Sequence, residues 1–238
     1  MKNGSQKKIG IVIPAYNEEK EILNVIDNVN KKFKGKFSSY NIIVVDDGSD
    51  DETAKLASKT NAVVIRHILN MGSGRATATG LSYAYQNNFD VVATLDADGQ
   101  HDPVDALTGI NILIDKNYDL LIGSRLLDNT GMPTAKIIGN KGLSFITYLL
   151  FGINLTDSQS GLRIFSKRSL SELKWKTSGY EFCSEMLWRA NQLNLKINEF
   201  PIKAIYTEYS MTKGQNNWNA FNIIRALITR RIVELFGE

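Results

Sequence analysis

Residues 91–101, Val-Val-Ala-Thr-Leu-Asp-Ala-Asp-Gly-Gln-His, join an apolar run to three hard oxygen donors. Asp96 and Asp98 stand one residue apart, and the amide of Gln100 follows across Gly99. A buried strand that ends in Asp-x-Asp sets both acids at a sheet edge, pointing the same way. Two carboxylates and a neutral amide suit Mg²⁺ or Mn²⁺, ions that complete their shells with waters and substrate phosphates. The competing reading is a turn in which Asp96 and Asp98 only cap the next helix.

Other chemistry-bearing residues also follow apolar runs. Pro14 and Tyr16 close the run from Ile9, Asp46 and Asp47 close Ile42–Val45, and Arg125 closes Leu120–Ser124. Asn70-Met71-Gly72-Ser73-Gly74-Arg75 is a glycine-rich turn into a helix expected over 75–86. Such a turn can present backbone N–H groups to an anion or pack tightly; its spacing matches neither a Walker A loop nor a complete dinucleotide fingerprint. Asp157-Ser158-Gln159-Ser160-Gly161 reads as a further turn. His101 reads as a loop or supporting residue beside the metal motif rather than a ligand, and the lone Cys183 as a core thiol.

The elements that must position these residues alternate. Strands are expected at Ile9–Pro14, Ile42–Val45, Ala62–Ile65, Val91–Leu95 and Leu120–Arg125. Asn17 is a plausible cap, and Glu18 and Glu19 would fill the first turn, of a helix with Ile22, Leu23, Val25, Ile26 and Val29 on its apolar face. Helices are also expected over 53–58 and from about Pro103 to Lys116. This βαβα order implies an α/β fold: a mostly parallel sheet flanked by helices, with ligands beyond the carboxyl ends of the strands. Farther on, Pro133–Gly142 reads as a loop entering a helix, Leu143–Phe151 as strongly apolar, Leu162–Phe165 as a strand, Glu181–Leu193 as a helix and Ile197–Tyr206 as a strand. Trp218, Phe221, Ile224, Ile228, Ile232 and Phe236 suit one side of an amphipathic tail helix, either interfacial or for packing and dimerisation. The expected organisation is one domain over 1–215 and an appended helix over 216–238. Trp175, Trp188 and Trp218 read as packing or interfacial anchors.

Composition narrows the function. The net charge of +3 over 238 residues, with no basic run, argues against nucleic acid. A single cysteine forbids a disulfide within the chain and fits a reducing compartment. Lys2, Lys7 and Lys8 before an apolar run faintly imitate a signal peptide, but Pro14, Glu18 and Glu19 interrupt it, so export is not expected. No apolar run approaches the roughly 18 residues that span a bilayer.

Together the motifs resemble a known family. Ile13-Pro14-Ala15-Tyr16-Asn17-Glu18-Glu19, Val45-Asp46-Asp47-Gly48-Ser49, Leu95-Asp96-Ala97-Asp98-Gly99-Gln100-His101-Asp102-Pro103 and Gly123-Ser124-Arg125 occur in order, followed by Asp157-x-x-Ser160-Gly161 and Glu181-x-x-x-Glu185-Met186. From about Ile9 to Lys213 the chain resembles glycosyltransferase family 2, and within it the dolichyl- or polyprenyl-phosphate hexosyltransferases. The resemblance implies a nucleotide-sugar-binding GT-A-type (Rossmann-like) fold and inversion at the anomeric centre. It implies that Pro14, Tyr16, Glu18, Val45 and Asp47 hold the nucleoside, that Asp96 and the backbone of Ala97 meet the nucleotide or sugar, and that Asp98 and Gln100 ligate the metal. Arg125, Lys136 and Asn140 would face the diphosphate and an acceptor phosphate, with Lys213 as a further cation. The catalytic set would be Asp98, Arg125 and Asp157. Lys136 stands where the family usually has Arg, and binds phosphate without a bidentate fork.

Three functions compete. One is metal-dependent transfer of a hexose, from GDP-mannose or a UDP-sugar, to a polyprenyl phosphate at the cytoplasmic membrane face. Such a protein would be cytoplasmic or peripheral, and a homodimer is compatible. The second is transfer to a hydroxyl acceptor with Asp157 as base; otherwise Asp157 is structural and fixes the Ser160-Gly161 turn. The third is a nucleotide-sugar-binding module without catalysis.

Overall fold

The computed structural model describes residues 7–203, 205, 224, 225 and 227–229. Seven strands, β1 (Lys8–Ala15), β2 (Ser39–Asp46), β3 (Val63–Arg66), β4 (Val91–Thr94), β5 (Leu120–Ser124), β6 (Arg163–Ser166) and β7 (Ile197–Pro201), form one sheet in the order β3-β2-β1-β4-β6-β5-β7. All pairings are parallel except those of β6, which runs against β4 and β5. The helices are α1 (Ile22–Phe33), α2 (Thr53–Ala57), α3 (Ser73–Gln86), α4 (Pro103–Lys116), α5 (Thr134–Phe151), α6 (Lys167–Glu172) and α7 (Phe182–Gln192).

The period-two alternation of the strands splits the core into two layers. Ile9, Ile11 and Ile13 of β1 join Ile26 and Val29 of α1 and Ile110 of α4 on one face. Val12 of the same strand joins Ala76 and Ala84 of α3, Leu143 of α5 and Met186 of α7 on the other. β4 is buried along its whole length, as a strand covered on both faces must be.

Two consequences position the site. Strand order turns back between β1 and β4, and that switch point opens a crevice at the carboxyl ends. Because β6 is inverted, the loop before it, 157–162, arrives at the same edge as the ends of β1, β2, β4 and β5.

Several local expectations need correction. Asn17 caps no helix: α1 begins at Ile22, and neither Glu18 nor Glu19 is in its first turn. Asn17 is instead left-handed (φ 54°), and its Oδ1 accepts the Asp50 N–H at 2.9 Å. Leu23 is exposed, and Phe33 completes the apolar face of α1. Residues 134–142 are helix rather than loop, since α5 starts directly after Pro133. The last strand stops at Pro201 rather than Tyr206. In the tail, residues 224, 225 and 227–229 are helical; Leu227 is fully buried and Ile224 packs beside it, while Ile228 is 44% exposed. Trp218, Phe221, Ile232, Phe236 and Lys213 lie outside the described residues.

Candidate active site at the strand ends

The carboxylate at the end of β2 is Asp47, one residue past the strand and 3% exposed. Its Oδ1 accepts the Met71 N–H at 3.0 Å and faces His67 Nδ1 at 2.6 Å, and its Oδ2 accepts the Gly72 N–H at 2.8 Å. The carboxylate thus pins the glycine-rich turn. That turn is a packing device rather than a phosphate cradle. The Gly74 N–H donates to Ser178 O at 2.7 Å, and Trp175 Nε1 donates to Gly74 O at 3.0 Å. Gly72 holds φ at 95°, and a Cβ there would stand closer than 3.0 Å to the Ser178 carbonyl. The loops after β1 and β2 are stitched together: the Asn17 N–H donates to Ser49 Oγ and the Glu18 N–H to Thr53 Oγ1. Tyr16 is 41% exposed above them, with Pro14 and Glu18 half-buried. Val45 is fully buried in β2 against the α3 layer, so only its backbone can face the crevice, and it supports Asp47 from below.

At the end of β4 a turn at Gly99 (φ 75°) lets the Gln100 N–H donate to Asp98 Oδ1 at 3.0 Å. Ala97 is 4% exposed, so only its backbone can face the crevice. Asp96 lies across Gly161, where any Cβ would come within 3.0 Å of its carboxylate. Desolvation raises the Asp96 carboxyl above the usual range, against the pull of the Arg125 and Arg163 guanidiniums. Asp98 is raised as well, by desolvation and then by the Asp96 charge. Two carboxylates that repel each other, next to an amide, are a donor set a divalent cation would relieve. Among the described residues no group of three or more His, Cys, Asp or Glu is arranged to hold a metal. A cation here would therefore lean on Asp98, Gln100, water and ligand oxygens.

His101 is no ligand in this geometry. Its Nδ1 accepts the Asp96 N–H at 3.2 Å, and burial lowers its pKa to about 4, keeping the ring neutral. It supports the turn from behind.

The opposite wall is cationic. Arg125 follows β5, and its Nε and Nη2 donate to Asp157 Oδ2 and Oδ1 at 2.7 and 2.9 Å; its backbone N–H adds a third bond at 3.2 Å. Asp157 is fully buried, and Glu199 of β7 holds its backbone N–H at 3.0 Å. Both readings of Asp157 from sequence change. Its oxygens are committed to Arg125, so it is not presented as a base, and the Ser160 turn is held instead by Arg163. That fully buried guanidinium donates to the carbonyls of Ser158 and Ser160, both at 2.9 Å. Lys136, in the first turn of α5, is close enough to feel both Arg125 and Asp98: burial and Arg125 lower its pKa, Asp98 raises it. Asn140 lies one turn further along the same face, which continues into buried Leu143, Ser144 and Thr147.

Sequence reasoning missed His67, Arg163 and Tyr180, and gave Glu185 only as part of a motif, without a role. Glu185, fully buried on α7, accepts the N–H groups of Lys176 and Thr177 and so fixes the loop that carries Tyr180. Desolvation and the charges of Asp96 and Asp98 raise the Tyr180 phenol, placing it in the same cluster. A Glu inside an apolar helix was the one available signal. Cys183, Trp175 and Trp188 are core residues. A hollow of about 330 Å³ beside Trp175 and Arg189 shares no residue with the strand-end cluster.

The family model for glycosyl transferase family 2 matches residues 10–174. The chain belongs to glycosyltransferase family 2. It is 44% identical, over 94% of its length and 96% of the other, to the UDP-N-acetylglucosamine–dolichyl-phosphate N-acetylglucosaminyltransferase of Methanococcus voltae. It is 26% identical to the polyprenol monophosphomannose synthase of Mycolicibacterium smegmatis, over 85% of this chain and 79% of that one. Its GT-A-type fold is matched by the glucosyl-3-phosphoglycerate synthase of Mycobacterium tuberculosis, solved with Mn²⁺, UDP and phosphoglyceric acid. The TM-score is 0.73 at 20% identity, covering 98% of this chain and 79% of that one.

Proposed function

We propose that this enzyme moves a hexose from a nucleoside-diphosphate sugar to a polyprenyl phosphate, with Mg²⁺ or Mn²⁺ held by Asp98 and Gln100. The cation supplies a counter-charge to the diphosphate. Asp47 and Asp98 follow strands separated only by β1, whose neighbours on either side lie about 10 Å apart, a span a nucleoside diphosphate can bridge. Arg125, held flat by Asp157, would face the diphosphate as it departs, and Lys136 with Asn140 the acceptor phosphate. An acceptor that is already an anion needs no general base.

The observation that carries this reading is the Arg125–Asp157 pair. The buried carboxylate on the acceptor side orients a cation, and the cations, not a base, line the site. The relatives named for dolichyl phosphate and polyprenol products point the same way. The outward face of α5 adds support: Ile138, Phe145 and Leu149 are 67%, 59% and 63% exposed, apolar surface suited to a lipid headgroup region. No helix among the described residues is long and apolar enough to cross a membrane; we take attachment as peripheral, on the cytoplasmic face. The tail over 216–238 and Lys213 belong to the same proposal, as interfacial helix or dimer contact and as phosphate-binding cation.

The test is transfer of labelled sugar by the purified full chain, with Mn²⁺, to polyprenyl phosphate in detergent and to free saccharides in parallel. Product in the lipid fraction alone is expected. Product only on the saccharides, or none on any acceptor while donor still binds, overturns the reading.

A further inference from the structure

We infer that the donor's base is uracil rather than guanine, and that His67 is the positioning residue that sets this choice. The inference rests on the proposed nucleotide-sugar site and asks what Asp47 has left to offer there.

An ionised carboxylate accepts at about four lone-pair sites, two on each oxygen. Asp47 Oδ1 already accepts the Met71 N–H at 3.0 Å and faces His67 Nδ1 at 2.6 Å. Since the carboxylate can only accept, Nδ1 carries the proton, and Nε2 takes the Thr79 hydroxyl at 2.9 Å. Oδ1 is therefore filled. Oδ2 accepts the Gly72 N–H at 2.8 Å and keeps one site. The side chain is 4% exposed, so it presents a single edge to the crevice.

Guanine binds a carboxylate through two adjacent donors, N1–H and the exocyclic N2–H, and needs both oxygens free on the same side. Uracil offers one imide N–H between two carbonyls, and one accepting site satisfies it. A guanine placed on Asp47 would bury a donor with no acceptor, a mismatch of the kind that discriminates strongly between ligands. His67 acts through the carboxylate. Held between Asp47 and Thr79, its ring blocks the second site on Oδ1 and prevents the carboxylate from turning both oxygens outward.

Calorimetric titration of the full chain with UDP and with GDP, each with Mn²⁺, tests this. UDP is expected to bind at least about tenfold more tightly. His67→Ala should bring the two nucleotides to within about threefold, and His67→Asn, whose amide nitrogen can replace Nδ1, should restore the preference. Thr79→Val, which keeps the side-chain shape, should narrow the ratio less and decides the matter if His67→Ala does not fold. GDP binding as tightly as UDP, or a UDP/GDP ratio that none of the folded variants moves, overturns the inference and leaves the transferase reading intact. Binding of neither nucleotide overturns both.

Discussion

The two halves of the crevice use the same residue types in opposite ways. On the donor side, formed by the ends of β1, β2 and β4, carboxylates are bound to backbone: Asp47 to the 71–72 turn, Asp51 to Glu19 and Thr53, Asp98 to Gln100. On the acceptor side, formed by β5, α5 and the loop before β6, the buried carboxylate holds a guanidinium, and a second buried guanidinium holds the loop. The donor half is shaped by hydrogen bonds that keep acidic edges facing the ligand. The acceptor half is shaped by a buried ion pair that keeps cations facing it. On the proposed function, a divalent ion and two phosphates would meet at the seam between them.

The largest expected difference comes from cutting one carboxylate on each side. Asp157→Ala leaves the largely buried Arg125 charge without its ion-pair partner, and should destabilise the fold by about 3–5 kcal/mol, read by chemical denaturation. Asp157→Asn keeps one acceptor for Arg125; turnover should fall about tenfold without a change in the shape of its pH profile. Loss of the acidic limb of that profile, where a base would become protonated, would instead make Asp157 a base and erase the contrast.

A pH effect follows next. His101 titrates near 4 when folded, against about 6.5 for a free imidazole side chain. Between those values the unfolded chain binds the proton and the folded chain does not, so stability is full above pH 6.5 and declines as pH falls toward 4. The His101 share between pH 7 and 5 is at most about 2 kcal/mol. Asp96 and Asp98, whose values are raised, bind protons more readily when folded and offset part of it. His101→Gln should flatten the decline, measured as melting temperature against pH; an unchanged slope would mean the ring is not buried neutral.

The smallest effect belongs to the donor-side stitching. Asp51→Ala removes an acceptor for the Glu19 and Thr53 N–H groups at a partly exposed loop, and should cost about 1 kcal/mol. A loss as large as that of Asp157→Ala would break the comparison.

The donor half was largely legible in the sequence because its signals are local. Asp96-x-Asp98, Asp102-Pro103 at the start of α4 and the apolar runs before each acid need no distant partner to be read. Where that half was misread, at Asn17, the cause was long-range: Asn17 is drawn to Asp50, thirty-three residues away. The acceptor half was less legible for the same reason. Nothing near Asp157 announces Arg125, thirty-two residues earlier, or Glu199, forty-two residues later. His67 carried no local pattern at all, and its role exists only once Asp47 and Thr79 meet it from two other elements.

The seam between the halves is tested most directly by titrating the tighter-binding nucleoside diphosphate into the full chain and into Asp98→Ala, each with and without Mn²⁺. In the unaltered protein Mn²⁺ should tighten binding at least about tenfold, and in Asp98→Ala it should do nothing while metal-free binding persists. An equal response to Mn²⁺ in both proteins would contradict a cation held at the end of β4.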